Sequence, residues 1–191
     1  LRCFDFDDAA CAQLAKFVQL EYLDLSGKDV DERGVSRMPS ITDAGVKALA
    51  PLVALRRLCL ADCEHVRGTS LRGLEAMPRL EHLDLTHTGV ETLAVERLAR
   101  LPSLRSLSLS HCRSFHGRAL AAIAKLPGLR TLQLQGCVTL AAKDVLVLAQ
   151  LTELRHLDLR DCQGRYRGQT VAYDAPAPGA KPNRARKTQT E

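Results

Sequence analysis

The stretch LRTLQLQGC, residues 129–137, has leucines at its first, fourth and sixth places and a cysteine at its ninth. Successive residues of a strand face opposite sides of the sheet, so this spacing predicts a short strand with one apolar face. The pattern recurs as LEYLDLSGK from Leu20, LRRLCLADC from Leu55, LEHLDLTHT from Leu80, LRSLSLSHC from Leu104 and LRHLDLRDC from Leu154. The starting leucines are 35, 25, 24, 25 and 25 residues apart, which indicates a chain built from repeated units.

The second half of each unit repeats with a helical spacing. Apolar residues stand nine, six and three places before each new start, as Val46, Leu49 and Leu52 do before Leu55. Such offsets form one apolar stripe on a helix. A proline follows the stripe in three units and disfavours helical geometry in the residue before it. Each unit is therefore predicted to be strand, turn, helix, turn.

These units resemble the leucine-rich repeat family, whose motif L-x-x-L-x-L-x-x-N/C they follow over residues 1–162, including the variant LRCFDFDDA at Leu1. The resemblance implies an α/β fold, namely a leucine-rich-repeat solenoid, or horseshoe, of about seven strand-turn-helix repeats. In that fold a parallel concave sheet is backed by convex helices. The family binds macromolecules, so the resemblance also implies a non-catalytic protein-protein interaction module.

Cysteine at the ninth place, together with ITDAGVKALAPL from Ile41, resembles the cysteine-containing subclass. That subclass occurs in F-box receptors and in related bacterial or effector proteins, which implies substrate recognition in a ubiquitin ligase as one specific role. In such a horseshoe the ninth residue points into the core, where a small thiol fills the turn and donates weakly to a backbone carbonyl. The four cysteines concerned are Cys63, Cys112, Cys137 and Cys162.

Composition restricts the classes of protein. No run of 18 apolar residues occurs, which predicts no membrane span. Seven widely spaced cysteines, an odd number, favour free thiols in a reducing compartment, so the expected location is intracellular and cytoplasmic, with the nucleus as the alternative. The formal net charge of +5 comes mostly from the chain after residue 162, which has six basic and two acidic residues.

Residues 163–191 form a basic tail rich in Pro and Ala, which is expected to be disordered or to cap the last repeat in part. Its run KPNRARK offers Lys181, Arg184, Arg186 and Lys187 as a weak candidate for nucleic-acid binding or for a nuclear address. A solubilising linker is the simpler interpretation.

The third, fifth and seventh places of each strand motif are predicted to face outward on the concave sheet. Their residues vary between units while the leucines do not, which is typical of a scaffold with a recognition surface. A polar face of this kind, with more Asp than Arg, complements a basic peptide or a positively charged patch. The candidate partner-binding residues are Asp5, Tyr22, Asp24, Arg57, His82, Asp84, Ser106, Ser108, Gln133, His156 and Asp158.

The unit that starts at Leu20 carries an insertion of about ten residues within residues 28–40. Extra loop length on a solenoid is thermodynamically inexpensive, and such loops often take part in recognition. The insertion is therefore a second candidate contact with the partner, against the alternative of a neutral solvated loop. Its charged candidates are Asp29, Asp31, Glu32, Arg33 and Arg37.

The residue types needed for catalysis or metal binding do not converge in this pattern. Cys59 and Cys63 are predicted to diverge, because the fifth place faces out and the ninth faces in. His87 and His111 share the eighth place of neighbouring units, and HCRSFH adds Cys112 and His116. Zinc needs four converging ligands, whereas Cys112 is assigned to the core and His116 to the convex turn. A Ser/His/Asp set drawn from Ser108, His82 and Asp84 lacks an enclosing pocket and a nucleophile turn.

The sequence thus predicts a protein that is not an enzyme, holds no metal or cofactor, has no small-molecule substrate, contacts no membrane and is monomeric alone. Its expected partner is another protein or complex. The alternative is a structural subunit of a large ribonucleoprotein or protein assembly, anchored by the basic tail.

Overall fold

The computed structural model describes residues 6–27, 29–30, 36–37 and 39–162. Its main sheet has six parallel strands in the order β1-β4-β5-β6-β7-β8, so each unit adds one strand beside the last. A second, two-stranded sheet pairs β2 with β3. The strands are β1 Tyr22–Asp24, β2 Asp29–Val30, β3 Ser36–Arg37, β4 Arg57–Cys59, β5 His82–Asp84, β6 Ser106–Ser108, β7 Thr131–Gln133 and β8 His156–Asp158.

The convex side carries short helices, as the repeat predicts. They are α1 Asp8–Leu14, α2 Asp43–Ala48, α3 Thr92–Arg97, α4 Leu120–Ile123 and α5 Ala142–Val145. Between β4 and β5, however, the segment is a 3₁₀ helix, Leu71–Ala76, and 3₁₀ turns also adjoin α3, α4 and α5. Apolar residues at intervals of three suit this tighter helix, in which residues three apart lie directly above one another.

The core lies between the sheet and the helices. Leucines at the first, fourth and sixth places of the central units are buried, as Leu104, Leu107 and Leu109 show at 0% exposure. The end units are less covered, since Leu157 is only half-buried and Phe17 is 62% exposed although it occupies a stripe position. No helix in the described part of the chain is long and apolar enough to cross a membrane.

Backbone hydrogen bonds join each unit to the next in the same way. The carbonyl of the second-place residue accepts two N–H groups from the following unit, as Glu21 O does from Arg56 N at 2.8 Å and Arg57 N at 3.0 Å. Arg130 O likewise accepts from Arg155 N at 2.8 Å and His156 N at 3.0 Å. We call this arrangement the repeat junction.

After each strand the chain turns at the eighth place, where the backbone has positive φ in five units. The values are 64° at Asp62, 57° at His87, 59° at His111, 69° at Gly136 and 58° at Asp161. The N–H of this residue donates to the seventh-place carbonyl of the next unit, as Asp62 N does to Thr86 O at 2.9 Å. The turn directs the ninth residue into the core.

The insertion contains a short antiparallel pair, β2 with β3, in which Asp29 lies opposite Arg37. The sequence predicted only an extended loop there. The predicted contact residues Asp31, Glu32 and Arg33, residues 1–5 and the tail from 163 to 191 lie outside the described residues. The predicted domain boundary at residue 162 therefore stays a prediction.

Candidate functional site

The parallel register brings the predicted concave residues into rows. Third-place residues neighbour one another from Tyr22 through Arg57, His82, Ser106 and Thr131 to His156, and fifth-place residues from Asp24 to Asp158. A shallow groove crosses this face from β1 to β7. The predicted residues that line it are Tyr22, Asp24, Arg57, His82, Asp84, Ser106, Ser108 and Gln133. His156 and Asp158 lie at the far end of the sheet. Asp5 is outside the described residues.

Two carboxylates of the groove are held by the hydroxyl residue two places further along. Asp24 Oδ1 accepts from Ser26 N at 2.9 Å and Ser26 Oγ at 2.5 Å, and Tyr22 Oη donates to its other oxygen at 3.2 Å. Asp84 Oδ1 accepts from Thr86 N at 2.9 Å and Thr86 Oγ1 at 2.6 Å. The carboxylates are therefore oriented before any partner arrives.

The electrostatics of the groove favour the ionised form of the Asp24 carboxyl and the uncharged form of the His82 imidazole. Partial burial raises the pKa of Asp24, but hydrogen bonds from Ser26 and Tyr22 outweigh it and the net pKa is lowered. Burial and then the nearby Arg57 charge lower the pKa of His82. The groove thus presents oriented carboxylates at the fifth place and the Arg57 guanidinium at the third.

The far carboxylate, Asp158, is already neutralised. Arg160 Nη2 lies 2.7 Å from Asp158 Oδ2, and hydrogen bonds from Arg160 lower the pKa of Asp158 more than its slight burial raises it. Arg160 also reaches Gln135 Oε1 at 3.4 Å. The charge available to a basic partner is therefore concentrated at Asp24 and Asp84.

Ser108, His82 and Asp84 all line the groove, but the hydroxyl of Ser108 is hydrogen-bonded to other hydroxyl groups. Ser108 is only 5% exposed, and its hydroxyl pairs with Thr86 Oγ1 at 2.8 Å and donates to Ser110 Oγ at 3.5 Å. Cys59, between Asp24 and Asp84 on the fifth-place row, has its thiol pKa raised to about 11, first by burial and also by the charge of Asp84. A protonated thiol is a poor nucleophile.

The ninth-place cysteines have the structural setting that the sequence predicts. Cys63, Cys112 and Cys137 are fully buried, and Cys162 is half-buried. Each thiol donates to the sixth-place carbonyl of the preceding unit, at 3.8 Å to Leu25 O, 3.0 Å to Leu85 O, 3.1 Å to Leu109 O and 2.9 Å to Leu134 O. They link adjacent repeats.

The histidines of neighbouring turns stack on each other. The ring centroids of His87 and His111 are 4.5 Å apart with an interplanar angle of 15°. His116 lies on the helical side, where its backbone N–H donates to Thr92 Oγ1 at 2.9 Å. Among the described residues, no three His, Cys, Asp or Glu side chains are grouped as metal ligands.

The sequence reasoning missed two aspartates that connect units on the convex side. Asp8 accepts from Thr42 N at 2.8 Å, Thr42 Oγ1 at 2.6 Å and Gly45 N at 2.9 Å. Asp43 makes the equivalent contact with the next unit, accepting from Gly68 N at 2.8 Å. The signal was present, since each aspartate stands twelve places before the next unit start. Their role is structural.

Repeated parallel strands backed by short helices define a leucine-rich-repeat solenoid. A Leucine Rich repeat family model matches residues 100–124 of the chain. Among solved structures, internalin C2 from Listeria monocytogenes strain 4b F2365 is similar, with 25% sequence identity and a TM-score of 0.57. The match covers 78% of this chain and 55% of the internalin chain. A search of curated proteins gave no match.

The chain therefore has the leucine-rich-repeat fold, and it spans about half of the internalin it resembles. Proteins of this fold generally bind other proteins and generally act as non-catalytic modules. These comparisons do not test the more specific resemblance to the cysteine-containing subclass, which rests on the ninth-place cysteines and on ITDAGVKALAPL from Ile41.

Proposed function

We propose that this chain binds a partner protein through the concave groove, with a basic segment of that partner lying across β1, β4 and β5. The observation that carries the proposal is the pair of oriented carboxylates, Asp24 and Asp84, on either side of Cys59. Two strand spacings separate them by roughly 10 Å. A lysine or arginine side chain over Cys59 would lie between both.

Exposed Tyr22 strengthens this assignment. Tyr22 is 56% exposed and lies at one end of the groove, on β1 beside Arg57. Tyrosine and arginine are over-represented among residues that dominate interface energies, because each buries a large area and also offers a polar contact. We infer that Tyr22 packs against the partner while Asp24 and Asp84 select for positive charge.

The insertion supplies a second contact in this proposal. The β2-β3 pair begins five residues after β1 ends, so it follows the strand that carries Tyr22 and Asp24. Deleting residues 29–39 should weaken binding of the partner. The other units lack the insertion and keep the repeat, so the deletion variant is expected to fold.

We further propose substrate recognition in a ubiquitin ligase as the specific role, on the strength of the ninth-place cysteines. Structural membership of a ribonucleoprotein assembly is the competing function, favoured by the six basic residues after residue 162. The two roles differ in their salt dependence, because phosphate contacts release counterions and weaken steeply as salt rises.

Affinity capture of the whole protein from its own cells, followed by mass spectrometry, tests the proposal. The groove variant Tyr22→Ala/Asp84→Asn should lose a discrete protein partner, with affinity reduced about tenfold or more as for interface hot spots. The matched control is Phe17→Ala/Glu64→Gln, which removes an exposed aromatic and a carboxylate elsewhere.

Equal retention of the partner by the groove variant and the control would refute the groove as the binding surface. Recovery of ubiquitin-ligase subunits would support the specific role. An RNA-containing particle that disappears when residues 163–191 are removed would instead establish the structural subunit.

A further inference from the structure

Three arginines form a row along the edge of the sheet where the strands begin. Arg105, Arg130 and Arg155 occupy the second place of the last three units, directly before β6, β7 and β8. We call them the arginine row. All three are exposed.

The earlier units differ at the same place. Glu21, Arg56 and Glu81 alternate in charge there, and Arg56 Nη2 lies 3.3 Å from Glu81 Oε1. Alternating charges on neighbouring strands attract, whereas like charges directly across strands destabilise a sheet. Three consecutive cations at the C-terminal end are therefore unfavourable for the isolated fold, which points to a counter-charge from outside it.

The repeat junction fixes the spacing of the arginine row. Arg130 N donates to Arg105 O at 2.8 Å, and Arg155 N donates to Arg130 O at 2.8 Å. Neighbouring positions are therefore one strand spacing apart, about 4.8 Å, and the row extends over about 9.6 Å.

The surroundings leave the row open to an anion. Arg105 Nη1 donates to Gly128 O at 3.2 Å, so this side chain extends across the next turn. Within the described ranges, the salt bridges of the protein use other cations. Glu153 is the acidic residue nearest to Arg155 in sequence, and it is exposed. Pro102 and Pro127, also exposed, provide apolar surface on the adjoining turns.

We propose that the arginine row binds an acidic α-helix of a partner protein. One helical turn rises about 5.4 Å, so carboxylates on successive turns span about 10.8 Å over three positions. That value lies close to the span of the row. An extended strand places same-face residues about 6.7 Å apart, or about 13.4 Å over three, which fits less well. Arginine pairs with carboxylate through two parallel hydrogen bonds.

Charge excludes the tail of the chain as the occupant. Residues 163–191 carry six basic against two acidic residues, so they would repel the row. The row occupies the second place of each motif, on the strand-entry edge, whereas the groove uses the third and fifth places of the strands themselves. This inference therefore stands independently of the proposed function.

The test uses a synthetic alanine-rich helical peptide with one glutamate per turn on one face, measured by fluorescence anisotropy at low salt against the whole protein. The variant Arg105→Gln/Arg130→Gln/Arg155→Gln should bind about tenfold more weakly, the size expected for three exposed ion pairs. The control Arg67→Gln/Arg72→Gln/Arg113→Gln removes equal charge from exposed positions elsewhere and should change affinity less than about twofold.

Three results would overturn the proposal. The first is an equal loss of peptide affinity in both triple variants. The second is equal binding of a peptide that has the same composition but has its glutamates spread around the helix. The third is tighter binding of a single-stranded oligonucleotide that also depends on the arginine row. Circular dichroism verifies folding, and Arg130→Gln alone serves as the second variant, with an expected loss of about twofold. The groove variant Tyr22→Ala/Asp84→Asn should bind the peptide like the wild type.

Discussion

Replacing a ninth-place cysteine by alanine should lower the free energy of unfolding by about 2 kcal/mol, and Cys137 is the best position to measure it. Its side chain is fully buried, and the thiol donates to Leu109 O in the preceding unit at 3.1 Å. Alanine removes that hydrogen bond, worth about 0.5–1.5 kcal/mol. It also leaves a void the size of one heavy atom, which costs about 0.5–1.5 kcal/mol by analogy with Ile→Val.

The chain itself supplies the matched control. Thr88 stands at the ninth place of one unit, where its hydroxyl donates to Leu85 O at 2.7 Å. Cys137→Thr keeps a donor and fills the site, with a hydroxyl and a methyl group in place of the sulfur, so it should cost less than Cys137→Ala. Chemical denaturation followed by circular dichroism gives the free energies, and thermal melting should show Cys137→Ala about 6 °C below the wild type.

Either of two results would refute the reasoning. A neutral Cys137→Ala variant would mean that the thiol contributes neither packing nor a hydrogen bond. Equal costs for the alanine and threonine variants would mean that the donor and the volume are irrelevant. Thiol reagents give an independent check, because burial raises the pKa of Cys137 and the folded protein should protect it until unfolding.

Two further changes test the junctions between units. Burial raises the pKa of Asp8, but hydrogen bonds from Thr42 and Gly45 outweigh it and hold the pKa below its usual 3.8. The ionised carboxylate therefore stabilises the fold above about pH 4, and this contribution is lost as the pH falls through the lowered pKa. Acid titration of stability should therefore be less steep in Asp8→Asn, and an identical slope would contradict this role. Gly136→Ala places a Cβ in collision with His111 Nδ1 at a φ of 69°, and it should cost about 1–3 kcal/mol by denaturation. Gly27→Ala, with open space around the new Cβ, is its control, and equal costs would disprove the steric argument.

The repeat could be predicted from the sequence because its signals are periodic. Leucines at fixed offsets place one strand per unit, and the parallel register of the six-stranded sheet follows directly. The kind of helix could not be predicted, because a stripe at intervals of three suits both α and 3₁₀ geometry. Leu71–Ala76 adopts the latter.

The candidate site was predictable only as a face. Alternation along each strand assigns Tyr22, Asp24 and Asp84 to the same side, as the register shows. It does not show that Ser108 lies beneath longer neighbours at 5% exposure, because accessibility depends on the side chains of adjacent units. The stacking of His87 on His111 likewise occurs where the backbone has a positive φ, and the residue type at the eighth place does not predict that conformation.

The repeat junction is made of main-chain atoms alone, with one carbonyl receiving two N–H groups of the next unit. The repeat junction itself does not depend on which side chains flank it. A segment of 24 or 25 residues that keeps the repeated positions can therefore be duplicated or removed during evolution without any change to this backbone junction. Each added copy would lengthen the recognition surface by about 4.8 Å. Gene duplication can therefore change the length of that surface in uniform steps.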